Sequence, residues 1–522
     1  MIDGSMQDYG LTLDKFLSHA AKWHPDAEVV SVGADGMVRR TGYAEMHDRA
    51  RGVSGALRTL GIGHGDRVAT LAWNTQGHVE AWYGIMGMGA VCHTLNPRLT
   101  AAQIGSMLRQ SAAAVLLVSA DLLSLAREAA ADMPTLRHIL LLDADEGQAG
   151  ADAFDPLIAA APRDVRWGDF DETTPSGLCF TSGSTGAPKG VTYTHRGCYL
   201  HTMRQLQADV LGPTARDSIL AAVPMFHANA WGLPFAAPAV GAKLVLPGRH
   251  TDGARLAHLI REAGVTAAVG VPTVWLGLAE HLEAASGEVA SLKRILVGGS
   301  AMPPALMARI EQRLGVEIQT SWGMTELSPL GTAAPPGDPG RAASLSGRPA
   351  MGIDLLLTDA DGRPLPQQRD VEGYLRVRGG SVVERYFGQD TPATDADGWF
   401  DTGDLARIDA RGNLTITGRA KDLIKSGGEW INPAEIEALV GALPQVSLAA
   451  VIGRADEKWG ERPILLVEMH DASFTDEQLL APLREKMASW WIPDAVVRLD
   501  AMPLAPTGKI DKMQLRLEYD RV

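Results

Sequence analysis

The stretch Thr181-Ser-Gly-Ser-Thr-Gly-Ala-Pro-Lys-Gly190 joins two short apolar segments, at 177–180 and 191–193. Glycine lets backbone N–H groups turn toward a bound anion, and hydroxyl and lysine side chains add donors and positive charge. These ten residues therefore carry the groups that a loop needs to hold a polyphosphate. The pattern is not the Walker motif, because Lys189 follows a proline and precedes a glycine. The same composition is also typical of an ordinary surface loop, so the flanking sequence has to decide between the two interpretations.

Apolar runs and stretches of helical spacing alternate on both sides of this loop. The apolar runs lie at 67–72, 90–95, 115–118, 139–142, 218–223, 243–246, 267–271 and 294–297. This alternation predicts parallel sheets with helices on both faces. Three polar or glycine-rich strand ends, at His227, 298–300 and 320–323, are expected to meet at the carboxyl edge of such a sheet, where ligands collect.

The chain changes character after a Pro/Gly-rich stretch at 333–341. Residues 350–418 show short β-like segments with turns, which predicts a small antiparallel module. The remainder, of about a hundred residues, is long enough for a core of its own. The sequence thus predicts an α/β fold with a large N-terminal domain at 1–420, built of stacked α/β sheets plus the small β module. A smaller α+β domain is expected at 421–522.

Net charge and composition indicate which classes of partner and which cellular location to expect. A net charge of −14 argues against a nucleic-acid partner, for which a basic surface is expected. Cys92, Cys179 and Cys198 show neither metal-ligand spacing nor a disulfide framework, which fits a cytoplasmic location. The N-terminus lacks the layout of a signal peptide, and no uninterrupted apolar run is long enough to predict a membrane-spanning helix.

Five further motifs are each modest when taken alone. Trp322-Gly-Met-Thr-Glu326 supplies an aromatic ring, a hydroxyl and a carboxylate suited to Mg²⁺. Asp401-Thr-Gly-Asp404 places two carboxylates around a tight turn, able to hold ribose hydroxyls or to form a plain Asx-turn. Gly418-Arg-Ala-Lys-Asp422 marks a charged junction, Lys425-Ser-Gly-Gly-Glu-Trp430 a second flexible loop, and Pro506-Thr-Gly-Lys-Ile510 a turn with one lysine.

Together and in this order, the motifs resemble those of the acyl-adenylate-forming superfamily, which includes acyl-CoA synthetases, firefly luciferase and the adenylation domains of peptide synthetases. The resemblance covers residues 12–515. It implies that a carboxylic acid is joined to CoA through an acyl-AMP, with ATP, Mg²⁺ and CoA as cofactors. The segments at 72–74, 91–98 and 425–431 are similar to those of fatty-acyl-CoA synthetases and methylmercaptopropionate-CoA ligases.

The same resemblance implies roles for residues around the nucleotide. It implies contacts in the phosphate loop, the adenine pocket and the ribose site from Thr181, Ser182, Gly183, Ser184, Thr185, Gly186 and Lys189, from Gly299, Ser300, Ala301, Thr320, Ser321 and Trp322, and from Asp404 and Arg419. Trp322 stands where most relatives have tyrosine. Thr325 is expected to touch the α-phosphate and Glu326 to coordinate Mg²⁺. Lys509 matches the lysine that bridges the carboxylate and the α-phosphate.

For the thiol step, the resemblance places the hinge of a mobile C-terminal domain at Lys421. The loop that this domain would swing into place consists of Gly427, Gly428, Glu429 and Trp430. His227 resembles the aromatic gate between the acyl pocket and the thiol tunnel. The acid is expected among mostly neutral residues, namely Asn229, Trp231, Val271, Thr273, Gly298, Gly323 and Met324. Their neutrality favours an apolar monocarboxylic acid, and the sequence leaves open a short thioether acid, a fatty acid or an aryl acid.

Two other functions are left open by the sequence. One is an adenylate-forming enzyme with a different acceptor, such as a carrier protein; CoA is favoured because no carrier domain follows residue 522. The other is a nucleotide- or carboxylate-binding regulator, which is disfavoured because such a module has no need of Lys509. A homodimer is expected by analogy with many relatives.

Overall fold

The structure is a computed structural model that describes residues 4–519 except 145, 149, 182–187, 472 and 506–509. Its strands, in chain order, are β1 (Glu28–Val32), β2 (Val38–Gly42), β3 (Arg67–Leu71), β4 (Val91–Thr94), β5 (Val115–Ser119), β6 (His138–Leu142), β7 (Asp152–Ala153), β8 (Pro175–Thr181), β9 (Lys189–Thr194), β10 (Ser218–Ala221), β11 (Lys243–Leu246), β12 (Ala267–Gly270), β13 (Arg294–Val297), β14 (Glu317–Gly323), β15 (Leu330–Ala333), β16 (Arg348–Pro349), β17 (Ile353–Thr358), β18 (Glu372–Gly379), β19 (Phe400–Ile408), β20 (Leu414–Arg419), β21 (Ile424–Ser426), β22 (Glu429–Ile431), β23 (Val446–Asp456), β24 (Gly460–Met469) and β25 (Ala495–Leu499).

The helices are α1 (Asp14–Trp23), α2 (Tyr43–Thr59), α3 (Gln76–Gly87), α4 (Ala101–Ser111), α5 (Leu123–Ala129), α6 (Phe154–Ala160), α7 (His195–Gln205), α8 (Leu233–Val240), α9 (Gly253–Ala263), α10 (Pro272–Ala285), α11 (Pro304–Leu314), α12 (Pro433–Gly441), α13 (Asp476–Lys486) and α14 (Lys512–Tyr519). Short 3₁₀ helices lie at Ala120–Leu122, Ala228–Gly232, Thr325–Leu327, Ala420–Asp422 and Ser489–Trp491.

Two large, mainly parallel sheets build the N-terminal part. Counted over the described residues, sheet A has nine strands in the order β16-β15-β14-β13-β12-β10-β11-β1-β2, and sheet B has seven in the order β7-β6-β5-β3-β4-β8-β9. Sheet A is parallel from β14 to β1, and sheet B from β7 to β8, with antiparallel strands added at the edges. The predicted strand–helix alternation is thereby confirmed.

Two smaller sheets follow. Sheet C is antiparallel with the order β17-β18-β19-β20, and sheet D runs β22-β21-β24-β23 with β25 beside β24. One buried apolar cluster joins sheets A, B and C, whereas the C-terminal part has apolar clusters of its own. The predicted fold class, a large α/β part with a small β module and a smaller α+β domain, is confirmed.

Local sequence explains the main helices. Helix α9 begins where the Asp252 side chain accepts a hydrogen bond from the Arg255 N–H, and it ends at Gly264, which has φ +62°. Its buried residues are apolar and recur at helical spacing: Leu256, Ala257, Leu259, Ile260 and Ala263. Helix α3 is different, because every residue from Gly77 to Gly87 is buried. Helix α3 therefore packs inside the protein, and its polar side chains have partners there: the His78 imidazole bonds to the Thr70 hydroxyl, and Arg49 pairs with Glu80.

Two segments differ from their sequence-based expectation. Residues 401–404 lie inside β19 and do not form a tight turn between strands; residues 402–404 stand opposite Leu375 alone, and Gly403 has φ +70°. This β-bulge absorbs extra residues within a strand, which periodicity does not reveal. The predicted loop at 425–430 is the tight hairpin β21–β22, because Gly427 and Gly428 take φ +59° and +93° and form its two-residue turn. No helix among the described residues has the length and apolar character needed to cross a membrane.

Candidate active site

The site is built at the carboxyl edge of sheet A. Strands β10, β12, β13 and β14 are neighbours there, so the segments that follow them are brought together. The Ser321 hydroxyl at the end of β14 donates to the carbonyl of Val297 at the end of β13, at 2.8 Å. The strand ends predicted to converge therefore lie at one edge of one sheet. This is the edge at which ligands usually bind in open α/β sheets.

The indole of Trp231 packs directly against the glycine turn after β13. A Cβ atom placed on Gly298 would lie 3.1 Å from Trp231 Cη2, and one on Gly299 would lie 3.6 Å from Trp231 Cζ2 and 3.3 Å from Val271 Cγ1. Glycine suits both positions for different reasons: a Cβ on Gly298 would also lie 2.6 Å from Ser321 Oγ, and Gly299 has φ +80°. The structure thus brings together three of the residues predicted for the acyl pocket: Trp231, Val271 and Gly298.

The other predicted pocket residues are arranged differently. The Asn229 amide donates to Cys198 Sγ at 3.8 Å, so it is directed at α7. Thr273 lies exposed in the first turn of α10, and Met324 donates its N–H to the Pro329 carbonyl at 3.0 Å. His227 immediately precedes the Ala228–Gly232 segment, and its backbone carbonyl accepts a hydrogen bond from the Ala230 N–H at 3.2 Å.

A second cluster links sheet A to sheet C. The Trp322 indole N–H donates to Asp404 Oδ2 at 2.9 Å, and Arg419 Nε lies 2.7 Å from Asp404 Oδ1. Asp404 is 1% exposed, whereas the Arg419 side chain is 43% exposed. Asp404 and Arg419 face each other in the β19–β20 register. The predicted adenine-pocket aromatic and both predicted ribose ligands therefore form one hydrogen-bonded unit.

The third cluster surrounds the turn Thr325–Leu327. Glu326 is 8% exposed, and its Oε1 accepts a hydrogen bond from the Tyr386 hydroxyl at 3.0 Å. The Tyr193 hydroxyl donates to the Thr325 carbonyl at 3.0 Å. Burial and the neighbouring Glu326 carboxylate raise the pKa of Tyr386, which keeps its hydroxyl a proton donor at neutral pH.

Tyr386 also connects this cluster to the phosphate loop. The Lys189 ammonium lies 4.9 Å from the centre of the Tyr386 ring, and the Phe387 N–H donates to the Gly190 carbonyl at 2.7 Å. Thr181 and Lys189 face each other at the ends of β8 and β9. Between them, Ser182, Gly183, Ser184, Thr185 and Gly186 lie outside the described residues, as does Lys509.

The residue predicted as the hinge and the predicted thiol-step loop lie in the C-terminal part. Lys421 belongs to the 3₁₀ helix after β20, where Asp422 pairs with Arg516 of α14 at 2.8 Å. In the β21–β22 hairpin, Gly427 donates its N–H to the Trp459 carbonyl at 2.8 Å, and Trp430 is 55% exposed. These contacts attach the hairpin to sheet D; the structure does not bring Gly428, Glu429 or Trp430 to the three clusters by any hydrogen bond of the described residues.

Comparison with protein families decides what these clusters belong to. Residues 17–387 match the family described as AMP-binding enzyme, and residues 435–509 match the family described as AMP-binding enzyme C-terminal domain. The chain belongs to the AMP-binding enzyme family. The predicted membership of the acyl-adenylate-forming superfamily is confirmed.

Several relatives that are similar to this chain over nearly their full length are CoA ligases. The 3-methylmercaptopropionyl-CoA ligase of Ruegeria lacuscaerulensis is 41% identical, over 99% of this chain and 98% of the relative. The medium-chain-fatty-acid–CoA ligase of Ectopseudomonas oleovorans is 42% identical, over 99% and 97%. A crystal structure of the anthranilate CoA ligase AuaEII with anthranoyl-AMP has a TM-score of 0.87 at 26% identity, covering 97% of each chain. The AMP-binding enzyme is accordingly an acid:CoA ligase that uses ATP and CoA and works through an acyl adenylate.

Two tyrosines that contact the predicted site residues, Tyr193 and Tyr386, belong to none of the sequence motifs. Tyr193 lies two residues after the buried Val191 in β9, so strand alternation predicts that it also faces inward, but no local pattern predicts its partner Thr325. Tyr386 lies outside any regular element and touches Glu326, 60 residues away. No local pattern marks such a pairing, since it depends on how sheet C is placed on sheet A.

Proposed function

We propose that this enzyme joins a short, apolar monocarboxylic acid to CoA, with 3-methylmercaptopropionate as the representative substrate. The observation that carries this proposal is the Trp231 indole, which packs against Gly298 and Gly299 and would limit the length of an acid bound there. The residues brought together there are neutral, so nothing among them would pair with a second carboxylate. Two relatives, at 41% and 40% identity, are 3-methylmercaptopropionyl-CoA ligases.

A medium-chain fatty acid is the second candidate. It is supported by the relative at 42% identity, which is a medium-chain-fatty-acid–CoA ligase. The two candidates make different demands on Trp231, because a longer chain has to displace its indole from the glycine turn. An apolar pocket discriminates by size at about 1–3 kcal/mol per methylene, enough to separate the two classes of acid.

The three clusters are proposed to bind ATP in separate parts. Lys189 and Thr181, with the loop between them, would hold the phosphates, and the segments 299–301 and 320–322 would hold the adenine. Asp404 and Arg419 would bind the ribose hydroxyls; the bond from Trp322 keeps the Asp404 carboxylate oriented for that purpose. Thr325 would contact the α-phosphate from the turn that Tyr193 holds in place.

Glu326 fits the role of a Mg²⁺ ligand. Its carboxylate is a hard oxygen donor, it is nearly buried, and one of its two oxygens is already oriented by Tyr386. Among the described residues, no group of three or more His, Cys, Asp or Glu could hold a metal ion. A single protein carboxylate is enough for Mg²⁺, which usually takes one or two carboxylates together with substrate phosphates. Bound there, the ion would offset the negative charge of the phosphates.

The reaction is proposed to need two arrangements of a C-terminal domain at 421–522 relative to a domain at 1–420. In the first, Lys509 would lie between the carboxylate and the α-phosphate and reduce the repulsion between two anions. Rotation about Lys421 would then withdraw Lys509 and present Gly427, Gly428, Glu429 and Trp430 beside the His227 gate. A hinge at the end of an element is a recognised device for such gating.

A cytoplasmic location and a homodimeric assembly are also proposed. Cys92, Cys179 and Cys198 are all free and buried, which agrees with a cytoplasmic enzyme. A homodimer is proposed from the behaviour of the superfamily, and light scattering of the purified enzyme would establish its mass in solution.

The test is a panel of acids assayed for each half-reaction. Pyrophosphate release is measured with ATP, Mg²⁺ and either 3-methylmercaptopropionate, butyrate, octanoate or benzoate, and thioester formation is measured after CoA is added. We expect 3-methylmercaptopropionate to give the highest kcat/KM and thioester to form only with CoA. A preference for octanoate would select the second candidate. Thioester formation on a carrier protein but not on CoA, or the absence of pyrophosphate release with every acid, would contradict the proposed function.

A further inference from the structure

The segment that carries Trp231 has an unusual backbone. Ala228, Asn229, Ala230 and Trp231 have φ between +44° and +56°, and Gly232 follows at φ +78°. A left-handed α conformation brings Cβ close to the following carbonyl oxygen, so it is unfavourable for every residue except glycine. Four consecutive non-glycine residues in this conformation form a left-handed turn that persists only when neighbouring structure holds it in place.

One face of α7 provides that support. Cys198, His201 and Gln205 are spaced i, i+3 and i+7, which places them on the same side of the helix. The Cys198 sulfur accepts a hydrogen bond from the Asn229 amide, and Gln205 Nε2 donates to the carbonyl of Trp231 itself. All three side chains are buried. The left-handed turn is therefore held by bonds to α7 at the two residues on either side of Ala230.

His201 contributes by packing and not by a bond to the turn. A Cβ atom placed on Gly232 would lie 2.9 Å from the His201 imidazole and 3.0 Å from Gln205 Oε1. The imidazole is itself fixed, because its Nε2 accepts the N–H of Leu330 at 3.2 Å. The end of the turn thus has little room to shift while α7 keeps its side chains.

We propose that Gln205 is a positioning residue for acyl-chain selection. Through the Trp231 carbonyl it holds the left-handed turn, and the turn holds the indole against Gly298 and Gly299 as the end wall of the acyl pocket. This inference rests on the proposed function, since it assigns the size limit of the same pocket. Loss of the Gln205 amide lets the turn relax toward ordinary backbone angles, and the indole then moves off the glycine turn and admits longer acids.

The experiment compares Gln205→Met with the wild type in pyrophosphate release. Methionine keeps the approximate length and volume of the side chain and removes its N–H donor. We expect the ratio of kcat/KM for octanoate to kcat/KM for 3-methylmercaptopropionate to rise about tenfold, the size of discrimination that one methylene makes in an apolar pocket. The KM for ATP is expected to stay unchanged.

A matched control is Gln319→Met on β14. Gln319 is also fully buried, and its Nε2 donates to two backbone carbonyls, those of Val210 and Ala334. The same chemical change there is expected to lower thermal stability without altering the ratio of the two acids. Cys198→Ala, which removes the bond to Asn229, is a milder second variant and is expected to shift the ratio in the same direction.

The double variant Gln205→Met/Trp231→Ala tests whether Gln205 acts through Trp231. Once the indole is gone, the Gln205 change is expected to have no further effect on the ratio, because residues that act on one another are not additive. An unchanged ratio in Gln205→Met and Cys198→Ala, with a changed ratio in Trp231→Ala, would overturn the role of α7. Absence of pyrophosphate release from the wild type with every acid would instead reject the proposed function.

Discussion

At the scale of single residues, the site depends on side chains that orient other side chains. Trp322 illustrates this, because its indole N–H, at the end of a strand of sheet A, donates to Asp404 in sheet C. Tyr386 does the same for Glu326 while its ring faces the Lys189 ammonium. In both pairs the oriented group is a nearly buried carboxylate, for which an unmade hydrogen bond is costly.

Replacing Trp322 by phenylalanine removes the donor and keeps an aromatic ring. We expect the KM for ATP to rise about tenfold, because a hydrogen bond to a charged group contributes about 1.5–3 kcal/mol. KM values are measured in pyrophosphate release with saturating acid. Trp167→Phe is the matched control, since the Trp167 indole donates to Ser54 far from the clusters. If both variants have the wild-type KM for ATP, Asp404 does not depend on Trp322.

Tyr386→Phe removes the hydroxyl that holds Glu326 and leaves the ring facing Lys189. The Mg²⁺ concentration needed for half-maximal pyrophosphate release is expected to rise about fivefold, in line with a net hydrogen-bond contribution of about 1 kcal/mol. Binding of Mn²⁺–ATP, followed by electron paramagnetic resonance, gives a readout that does not depend on turnover. Tyr374→Phe on β18 serves as the control. A loss of kcat at unchanged metal affinity would show that Tyr386 supports the fold and not the carboxylate.

At the scale of elements, the β21–β22 hairpin depends on the backbone angles of its two turn residues. Its turn places Gly427 and Gly428 in the left-handed region, and the tip packs on Trp459. The sequence pattern predicted a flexible loop here, because two adjacent glycines are equally typical of loops and of two-residue hairpin turns. The antiparallel partner, β22, is only three residues long and has no periodicity of its own.

Gly428→Ala tests the proposed thiol-step role of this hairpin. At φ +93° an alanine is strained even though nothing lies within 4 Å of its Cβ, so the change acts on the turn and not on packing. We expect pyrophosphate release without CoA to stay within about twofold of wild type. Thioester formation should fall about tenfold or more, given about 1–2 kcal/mol of backbone strain.

Gly412→Ala is the control for this prediction. Gly412 lies in the β19–β20 turn at φ +87°, also with nothing within 4 Å of a Cβ, so the backbone penalty is similar. It is expected to leave both half-reactions near wild type. Equal loss of adenylation and thioester formation in Gly428→Ala would argue against a domain rotation that separates the two steps.

At the scale of the whole molecule, stability should depend on pH through buried histidines. Burial lowers the pKa of His78 to about 4 and those of His93 and His195 to about 3, against an ordinary value of 6.5. Below pH 6.5 the unfolded chain therefore binds protons that the folded chain does not. Each of these histidines lowers the free energy of unfolding by about 1.4 kcal/mol per pH unit in that range.

Glu80 acts in the opposite direction. Burial raises its pKa to about 7, so between pH 7 and 4.5 the folded chain binds a proton that the unfolded chain releases, and stability rises as pH falls. Burial also lowers the pKa of His201 and raises the pKa values of Asp14, Asp143 and Glu437, so further groups act in each direction. Because four histidines have pKa values well below 6.5, we expect the melting temperature to be lower at pH 5.5 than at pH 7.5. His93→Gln should reduce this difference, and Glu80→Gln should enlarge it. Equal melting temperatures at the two pH values in the wild type would show that other groups dominate.

The fold class and the class of reaction can both be predicted from the amino-acid sequence. Strand–helix alternation predicted parallel sheets covered by helices, because buried parallel strands are apolar on both faces. The order of the motifs at 181–190, 322–326, 401–404, 418–422, 425–431 and 506–510 predicted the superfamily, which the comparisons confirmed. These features are local, so each can be read along the chain.

The contacts that hold the motifs in place become visible in the folded structure and not in the sequence. Tyr193 reaches Thr325 across 132 residues, Tyr386 reaches Glu326 across 60, and Gln205 reaches the Trp231 carbonyl across 26. The left-handed turn at 228–232 also contradicts local preference, since four of its residues are not glycine. Such contacts depend on which strand ends share a sheet edge and which helix packs on it. That information resides in the folded packing and in no single segment of the chain.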